Sequence, residues 1–443
     1  MGSAQHHSAS ARRRSDNRCR AVAALGCLPH NVQVTAPDHR CDVLVVGAGP
    51  AGSAAAIGLA RAGIDVLLAD AATFPRDKPC GDGLTPRAIA ELDHLGMLDW
   101  VGPARNWGLR AAGFGRELYL PWPGGSFPSF GGAMPRLTLD AGIRDAAVQA
   151  GARTITGRAV SADSRGERVT EVLVRTTAGE ERISCERLVV ADGAKSQLGR
   201  RLGRVWHRDT AYGVAARGYI DSNRSDDPWI SSHLELRGAD AEILSGYGWV
   251  FPLADGTVNI GVGTLATARR PADVRLRTVL EHYTESQRES WGLTGQVRHT
   301  ASALLPMGGA VSGVAGANWV LVGDAAGCVN PLNGEGIDYG LETGRMAAEL
   351  FADGGDPQHW PAVLGAQYGT SFAIARRLAG LLTWPHLLTA AGPWGMRSRS
   401  LMKIALRLMG NLVTEADSDA VARLWRTTGR LTSALEPRPP FSG

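Results

Sequence analysis

From Asp42 onward the chain alternates between unbroken apolar runs and stretches of small residues. Val43–Val46 is a continuous apolar run, the pattern of a strand buried on both faces. It meets the glycine-rich turn Gly47-Ala48-Gly49-Pro50-Ala51-Gly52, and Ser53 then leads a small-residue segment as far as Gly63. A second apolar run closes on Asp70. This order predicts strand, tight turn, helix, strand and a terminal acid.

Further along, Thr85-Pro86 reads as N-cap and first helical residue of a helix to about Leu95. Arg136–Ala150 is helical, with Leu137, Ile143, Ala146 and Ala147 on its apolar side. Thr154–Asp163, Val169–Thr177 and Glu181–Cys185 alternate like strands, and Leu188–Ala191 is a buried-type strand ending in Asp192-Gly193. Ala211–Val262 is patterned as antiparallel β, most clearly in a hairpin of Tyr247–Leu253 with Thr257–Val262. Trp319–Val322 runs into Gly323-Asp324, and Gly336-Ile337 opens a helix to about Phe351.

The expected class is α/β: a Rossmann-type nucleotide-binding domain, an antiparallel β substrate domain and a helical C-terminal region. The first comprises 41–104, 133–205 and 300–350, the second 105–132 and 206–299, and the third 351–435, with a tail at 436–443. Residues 1–40 are expected to be a disordered extension.

Composition narrows the class. The 443 residues carry a net charge of +4, too modest for a dedicated nucleic-acid binder. The six cysteines are scattered, without a Cys-x-x-Cys pair, which argues against a disulfide framework or a metal site and for a reducing compartment. Residues 1–40 hold six arginines against two aspartates, and Ala21–Leu28 has a signal-like apolar core. Secretion is not expected, because a nucleotide-binding strand starts almost at once. No apolar run reaches the roughly 18 residues of a spanning helix.

The glycine turn has a chemical reading. Gly47 permits the turn, Gly49 lets backbone approach a pyrophosphate, and Gly52 lets helix and strand pack closely. The free N–H groups of the helix start face the phosphates, and Asp70 stands at the spacing of a ribose-binding acid. Gly261-Val262-Gly263 with Ala266 formally repeats the pattern, but on the return arm of a hairpin, and is discounted.

Taken with Asp192-Gly193 and Gly323-Asp324, each after a strand, this constellation resembles the flavoproteins of the hydroxybenzoate-hydroxylase fold. Lys78-Pro79-Cys80-Gly81-Asp82-Gly83 and Tyr247-Gly248-Trp249-Val250-Phe251-Pro252 further resemble the signatures of the geranylgeranyl reductase family, over about Asp42–Val413. Within it the chain is most similar to bacterial members that saturate one isoprene unit of a menaquinone tail. The resemblance implies FAD, with contacts at Gly47, Gly49, Pro50, Ala51, Gly52, Ser53, Asp70, Cys80, Gly81, Arg136, Asp324, Gly336 and Ile337, and at Val160 through its backbone. Two departures stand out: Leu244 where the family favours Pro, and Gly199, followed by Arg200 and Arg201, where the superfamily's Asp-Gly motif ends in Arg.

Tyr247, Trp249 and Phe251 alternate, so on a strand they share one face and could wall a tunnel for a prenyl chain; ordinary sheet core is the competing reading. An isolated alkene needs hydride at one carbon and a proton at the other. A reduced flavin supplies the first, and Cys80, or Tyr247 less readily, is the candidate to supply or relay the second. Cys80 also reads as a small packing residue, and Lys78 and Arg76 beside it would favour a thiolate, a poorer acid.

Arg399, Lys403 and Arg407 recur on one side of a helix, with Leu401, Ile404, Leu408 and Leu412 opposite. With the apolar Leu378–Leu388, broken at Pro385, this predicts peripheral docking on the cytoplasmic side of the cell membrane. A core helix with a solvated basic face is the alternative. The expected partners are a prenylated quinone or other polyprenyl lipid, the membrane surface and an electron donor that the sequence does not specify. The rival functions are a flavin monooxygenase on an apolar or aromatic substrate and, more distantly, a non-enzymatic flavoprotein.

Overall fold

The computed structural model describes residues 36–238, 241–272, 274–384 and 386–442. The extension expected at residues 1–40 therefore falls outside the described residues as far as 35, as does Pro385. Strand β1 (His39–Val46) already includes His39 and Arg40.

The first sheet forms as the apolar runs predict. Strand β1 leads through the glycine turn into α1 (Pro50–Arg61) and then β2 (Val66–Asp70). Helices α2 (Pro86–His94) and α3 (Arg136–Gln149) follow, separated by the strands β3 (Gly108–Gly113) and β4 (Arg116–Pro121). In α3 the core-facing residues are Leu139, Ile143 and Ala147, whereas Leu137, expected on that side, is exposed.

The next strands are β5 (Arg153–Thr156), β6 (Arg158–Arg165), β7 (Arg168–Arg175) and β8 (Glu180–Val190). Glu181–Cys185 and Leu188–Ala191 are thus one strand rather than two. Its first half pairs antiparallel with β7, while its second half pairs parallel with a short strand at Trp319–Leu321. The polar residues Glu186 and Arg187 mark the change of neighbour and mimic a break. The sheet has seven strands, with β5-β2-β1-β8 parallel and β5 at one edge. A large core of α1, α2, α3 and these strands surrounds it.

The second sheet, also of seven strands, comprises β9 (Tyr212–Ser222), β10 (Ile230–His233), β11 (Gly246–Pro252), β12 (Thr257–Ala266) and β13 (Leu293–Leu305), with β3 and β4. The excursion at 105–132 joins it through a parallel pairing of β3 with β10, so the sheet is not wholly antiparallel. Strand β13 runs across position 300, where a domain boundary was expected. Gly261 and Gly263 lie mid-strand in β12, paired with Trp249 and Tyr247, far from any helix start. Val250, Ile260 and Val262 pack on α4 (Leu276–Gln287), leaving the opposite face of β11 for the site.

The chain ends in helices: α5 (Ile337–Ala352), α6 (Thr370–Leu382), α7 (Leu387–Gly395), α8 (Arg399–Met409) and α9 (Ala420–Ala434). Both sheets and these helices belong to one unit, Pro37–Gly443. No helix among the described residues is long and apolar enough to cross a membrane.

Candidate functional site

A cavity of about 720 Å³ runs between the glycine turn, the Cys80 loop, the free face of β11 and helices α7 and α8. At one end the backbone sets its shape. Gly47 has φ +104°, and a Cβ there would stand 2.3 Å from the Ala191 carbonyl oxygen. A Cβ on Gly52 would lie 1.7 Å from the Gly47 oxygen, so only glycine lets α1 settle against the turn. Gly47, Gly49, Pro50 and Ala51 reach the cavity wall. Gly52 and Ser53 lie behind it, the Ser53 hydroxyl bracing the turn through the Ala48 carbonyl (3.1 Å).

The start of α1 has no side-chain cap, so its first-turn amides point to the cavity without a local acceptor. Two guanidinium groups overhang it: a Cβ on Gly49 would meet Arg76 Nη2 at 3.3 Å and Arg136 Nη2 at 3.9 Å. Both are held from behind by the fully buried Asp140. It accepts from Arg136 Nε (2.6 Å) and Nη2 (2.7 Å) and pairs with Arg76 Nη1 (2.7 Å). Open amides under two fixed cations make a site for a diphosphate.

Asp70 accepts from the amides of Ala48 (2.7 Å) and Ala72 (2.8 Å), which orients its carboxylate and leaves lone pairs for sugar hydroxyls. Asp324 pairs with Lys78 (3.0 Å), and Gly336, directly before α5, would bring a Cβ within 3.2 Å of its Oδ1. The donor set along this half, from Asp70 through Gly49 and Arg136 to Asp324 and Gly336-Ile337, fits FAD: acid for ribose, amides and cations for phosphates, acid for the ribityl chain, helix start for the ring's pyrimidine edge. Val160 departs from expectation. Gly157, Arg158 and Ala159 line the wall there, where β5 gives way to β6.

The Cys80 loop is clamped by polar residues from the second sheet. Arg217 donates to the carbonyls of Lys78 (2.9 Å) and Cys80 (3.2 Å). The Asn259 amide donates to the Cys80 carbonyl and to Asp82 Oδ2, both at 2.9 Å, and the Tyr219 hydroxyl donates to the same Asp82 oxygen at 2.6 Å. Burial nevertheless lifts Asp82 to about 6. Burial also pushes the Cys80 thiol up, only partly offset by the Arg136 guanidinium. The expected pull of Lys78 and Arg76 toward a thiolate is absent, because Asp324 and Asp140 engage those cations. Cys80 is a protonated thiol at neutral pH.

The aromatic strand forms the adjoining wall. Tyr247, Trp249 and Phe251 all face the cavity, with successive ring centroids 5.9 and 6.2 Å apart. The Tyr247 hydroxyl donates to the Asn333 carbonyl. Trp249 lies over Gly261, where a Cβ would meet its ring at 2.1 Å, and donates to Asn259 Oδ1 at 2.9 Å. Gly81 and Gly83 are bare for a related reason: a Cβ would stand 3.1 and 2.9 Å from Phe251. The loop glycines thus let backbone run along the rings.

Beyond the rings the wall is supplied by α7 and α8, through residues such as Leu388, Met396, Met402 and Leu406. In α8 the inward side is Met402, Ala405, Leu406 and Met409. Leu401 and Ile404, expected on a side opposite the cations, are exposed alongside Arg399 and Lys403. Arg407 is not free: it pairs with Asp417 and Asp419. Helix α7 has no buried residue, and Trp384 and Trp394 are 57% and 70% exposed.

The sequence reading missed Asp140, Arg217, Tyr219 and Asn259; it placed Arg76 only beside Cys80 and gave Asp82 no role beyond its place in the loop signature. For Arg217 and Asn259 a signal existed, since each is a polar residue at an inward position of a central strand.

A family model described as the FAD binding domain matches residues 40–352. The menaquinone reductase of Mycobacterium tuberculosis is 59% identical over 407 residues, covering 91% of this chain and 99% of its own length. Digeranylgeranylglycerophospholipid reductase 2 of Methanopyrus kandleri is 30% identical, covering 70% of this chain and 77% of its own. Among solved structures, a geranylgeranyl bacteriochlorophyll reductase-like protein of Thermoplasma acidophilum superposes with a TM-score of 0.67. It covers 87% of this chain and 96% of its own at 20% identity, a likeness of fold.

Proposed function

This chain belongs to the FAD-binding-domain family and, within it, to the menaquinone and geranylgeranyl reductases; from that premise we propose that it saturates one isoprene unit of the menaquinone side chain. It is a FAD-dependent oxidoreductase acting on isoprenoid carbon–carbon double bonds. The observation that carries the substrate reading is the single cavity that joins a dinucleotide cradle to an apolar aromatic wall, with Cys80 at the junction.

When bound and reduced, FAD supplies the hydride equivalent. The chain's own residues do the rest. Arg76, Arg136 and the start of α1 hold the phosphates, and Asp70 and Asp324 hold the sugar-type hydroxyls. Tyr247, Trp249 and Phe251 enclose the prenyl segment and exclude water, which strengthens every electrostatic contact at the reacting carbons. Cys80, as a neutral thiol, hands a proton to the alkene carbon, with Tyr247 beside it as a second carrier.

The lipid reaches this wall from a membrane surface. The exposed Trp384, Trp394, Leu401 and Ile404, with Arg399 and Lys403 among them, support peripheral docking on an anionic bilayer at its cytoplasmic face. The test is the mass of the lipid after reaction with reduced enzyme. A gain of two hydrogens is expected, whereas a gain of one oxygen would make the chain a monooxygenase. Cys80→Ala should slow saturation on the order of 10²-fold; saturation at the wild-type rate would remove Cys80 from the proton path.

A further inference from the structure

One part of the cavity wall is unlike the rest. Glu335 and Asp338 bracket the start of α5, and both line the cavity. Asp338 is 1% exposed, and neither of its carboxyl oxygens has a hydrogen-bond partner; Glu335 Oε2 is likewise buried and without one. Elsewhere along the wall Asp82 accepts from Tyr219 and Asn259, Asp324 pairs with Lys78, and Asp192 accepts from the Leu198 amide on one oxygen with the other idle; among the described wall acids Asp338 alone has both oxygens idle. Two buried carboxyls with idle oxygens are costly in an apolar channel unless they retain protons.

The neighbours explain how the proton is shared. Arg87 of α2 is the cation facing the pair, but it is committed to Glu342, whose Oε2 it holds at 2.7 and 3.0 Å. Burial raises Asp338; Arg87 and the nearby Tyr339 amide at the start of α5 partly oppose this, while Glu342 adds to it. Burial raises Glu335 too, and the Asp338 charge raises it further. The remaining titratable groups are phenols and a thiol: Tyr339 beside Asp338, and Tyr247, which feels both Glu335 and Cys80. Tyr247 lines the same cavity as Cys80 and the carboxyl pair, and its hydroxyl donates to the carbonyl of Asn333, whose side chain accepts from the Glu335 amide.

We propose that Glu335 and Asp338 together hold one exchangeable proton at the channel wall, and that this proton is the one each reduction consumes. Asp338, nearer in influence to Arg87, carries the negative charge, and Glu335 carries the proton. A bound reduced flavin would supply hydride, and with it both electrons, to one alkene carbon, while the Cys80 thiol gives its proton to the other. Glu335 then gives its proton through the Tyr247 hydroxyl to the thiolate, and the carboxyl pair takes one back from water as product leaves. The inference rests on the reading of the chain as a prenyl-tail reductase.

The test uses intact FAD-loaded enzyme, dithionite as electron donor and a short-chain menaquinol in detergent, with repeated turnover followed by lipid mass. In parallel, infrared spectra of the resting enzyme monitor the carbonyl band of a protonated carboxyl group. Glu335→Gln should lose that band and slow repeated turnover on the order of 10²-fold, with Glu335→Asp restoring most of the rate. Asp338→Asn removes the charge that raises Glu335, so the alkaline limb of the pH–rate profile should move to lower pH. Wild-type turnover in Glu335→Gln, or a carboxyl band that survives both substitutions, overturns the proposal. A wild-type enzyme that adds no hydrogens overturns the function reading instead.

Discussion

The two ends of the cavity are built on opposite principles. At the cofactor end, shape comes from backbone that tolerates no added atom, and the cations are locked in place: Asp140 holds both Arg76 and Arg136. At the lipid end, shape comes from side chains on helices that themselves face outward, as in α7, which buries no residue. A fixed, charged ligand needs donors placed to fractions of an ångström. A prenyl chain needs only apolar enclosure and a way in. The first end should therefore fail through folding and cofactor loss, the second through delivery.

The sharpest way to break this contrast is Asp140→Ala. It leaves the buried Arg136 guanidinium without its carboxylate and the half-buried Arg76 short of a partner, and should cost about 3–5 kcal/mol, together with most of the bound FAD. Urea unfolding and flavin absorbance measure both; a stable, yellow variant would contradict the assigned clamp. Gly52→Ala comes next, at about 3 kcal/mol, the upper part of the usual range for overpacking, because its Cβ would stand 1.7 Å from the Gly47 oxygen.

Asp82 gives a smaller effect with a diagnostic sign. Burial raises it to about 6 in the folded chain, against about 3.9 for an unfolded aspartate. The folded state then binds the proton more tightly, so this group's stabilisation is complete below pH ~4 and is lost as pH rises through about 6. Wild type should gain stability over Asp82→Asn as pH falls across that window. A difference that is flat or of opposite slope in paired urea titrations would show that the Cys80 loop is anchored otherwise.

At the lipid end the expected change in stability is the smallest. Replacing Arg399 and Lys403 by Glu and Trp394 by Ser should alter unfolding free energy by no more than about 0.5 kcal/mol, yet abolish flotation with anionic vesicles. Equal flotation would remove the docking role from this surface.

The same contrast explains what was legible in the sequence. The glycine turn, Asp70, Asp324 and Gly336-Ile337 announce themselves because backbone geometry restricts the residue types at each position. The alternation of Tyr247, Trp249 and Phe251 gave their common face. Arg217, Tyr219 and Asn259 clamp the Cys80 loop across 137–179 positions of chain, and such pairings leave no local trace. Helix α8 misled for a different reason. Its periodicity revealed an apolar side and a basic side, but cavity-facing and solvent-facing leucines look alike until the cavity is known.

Asn259 joins the two ends in one side chain, its oxygen on Trp249 and its nitrogen on the Cys80 carbonyl and Asp82. Such a bridge makes occupancy a reciprocal matter. Whatever cofactor loading does to the loop is transmitted as a bias on the ring that meets the lipid, and lipid must then shift FAD affinity by the same factor. Severing the bridge, as in Asn259→Leu, would leave two chambers that fill independently, each ignorant of the other's state.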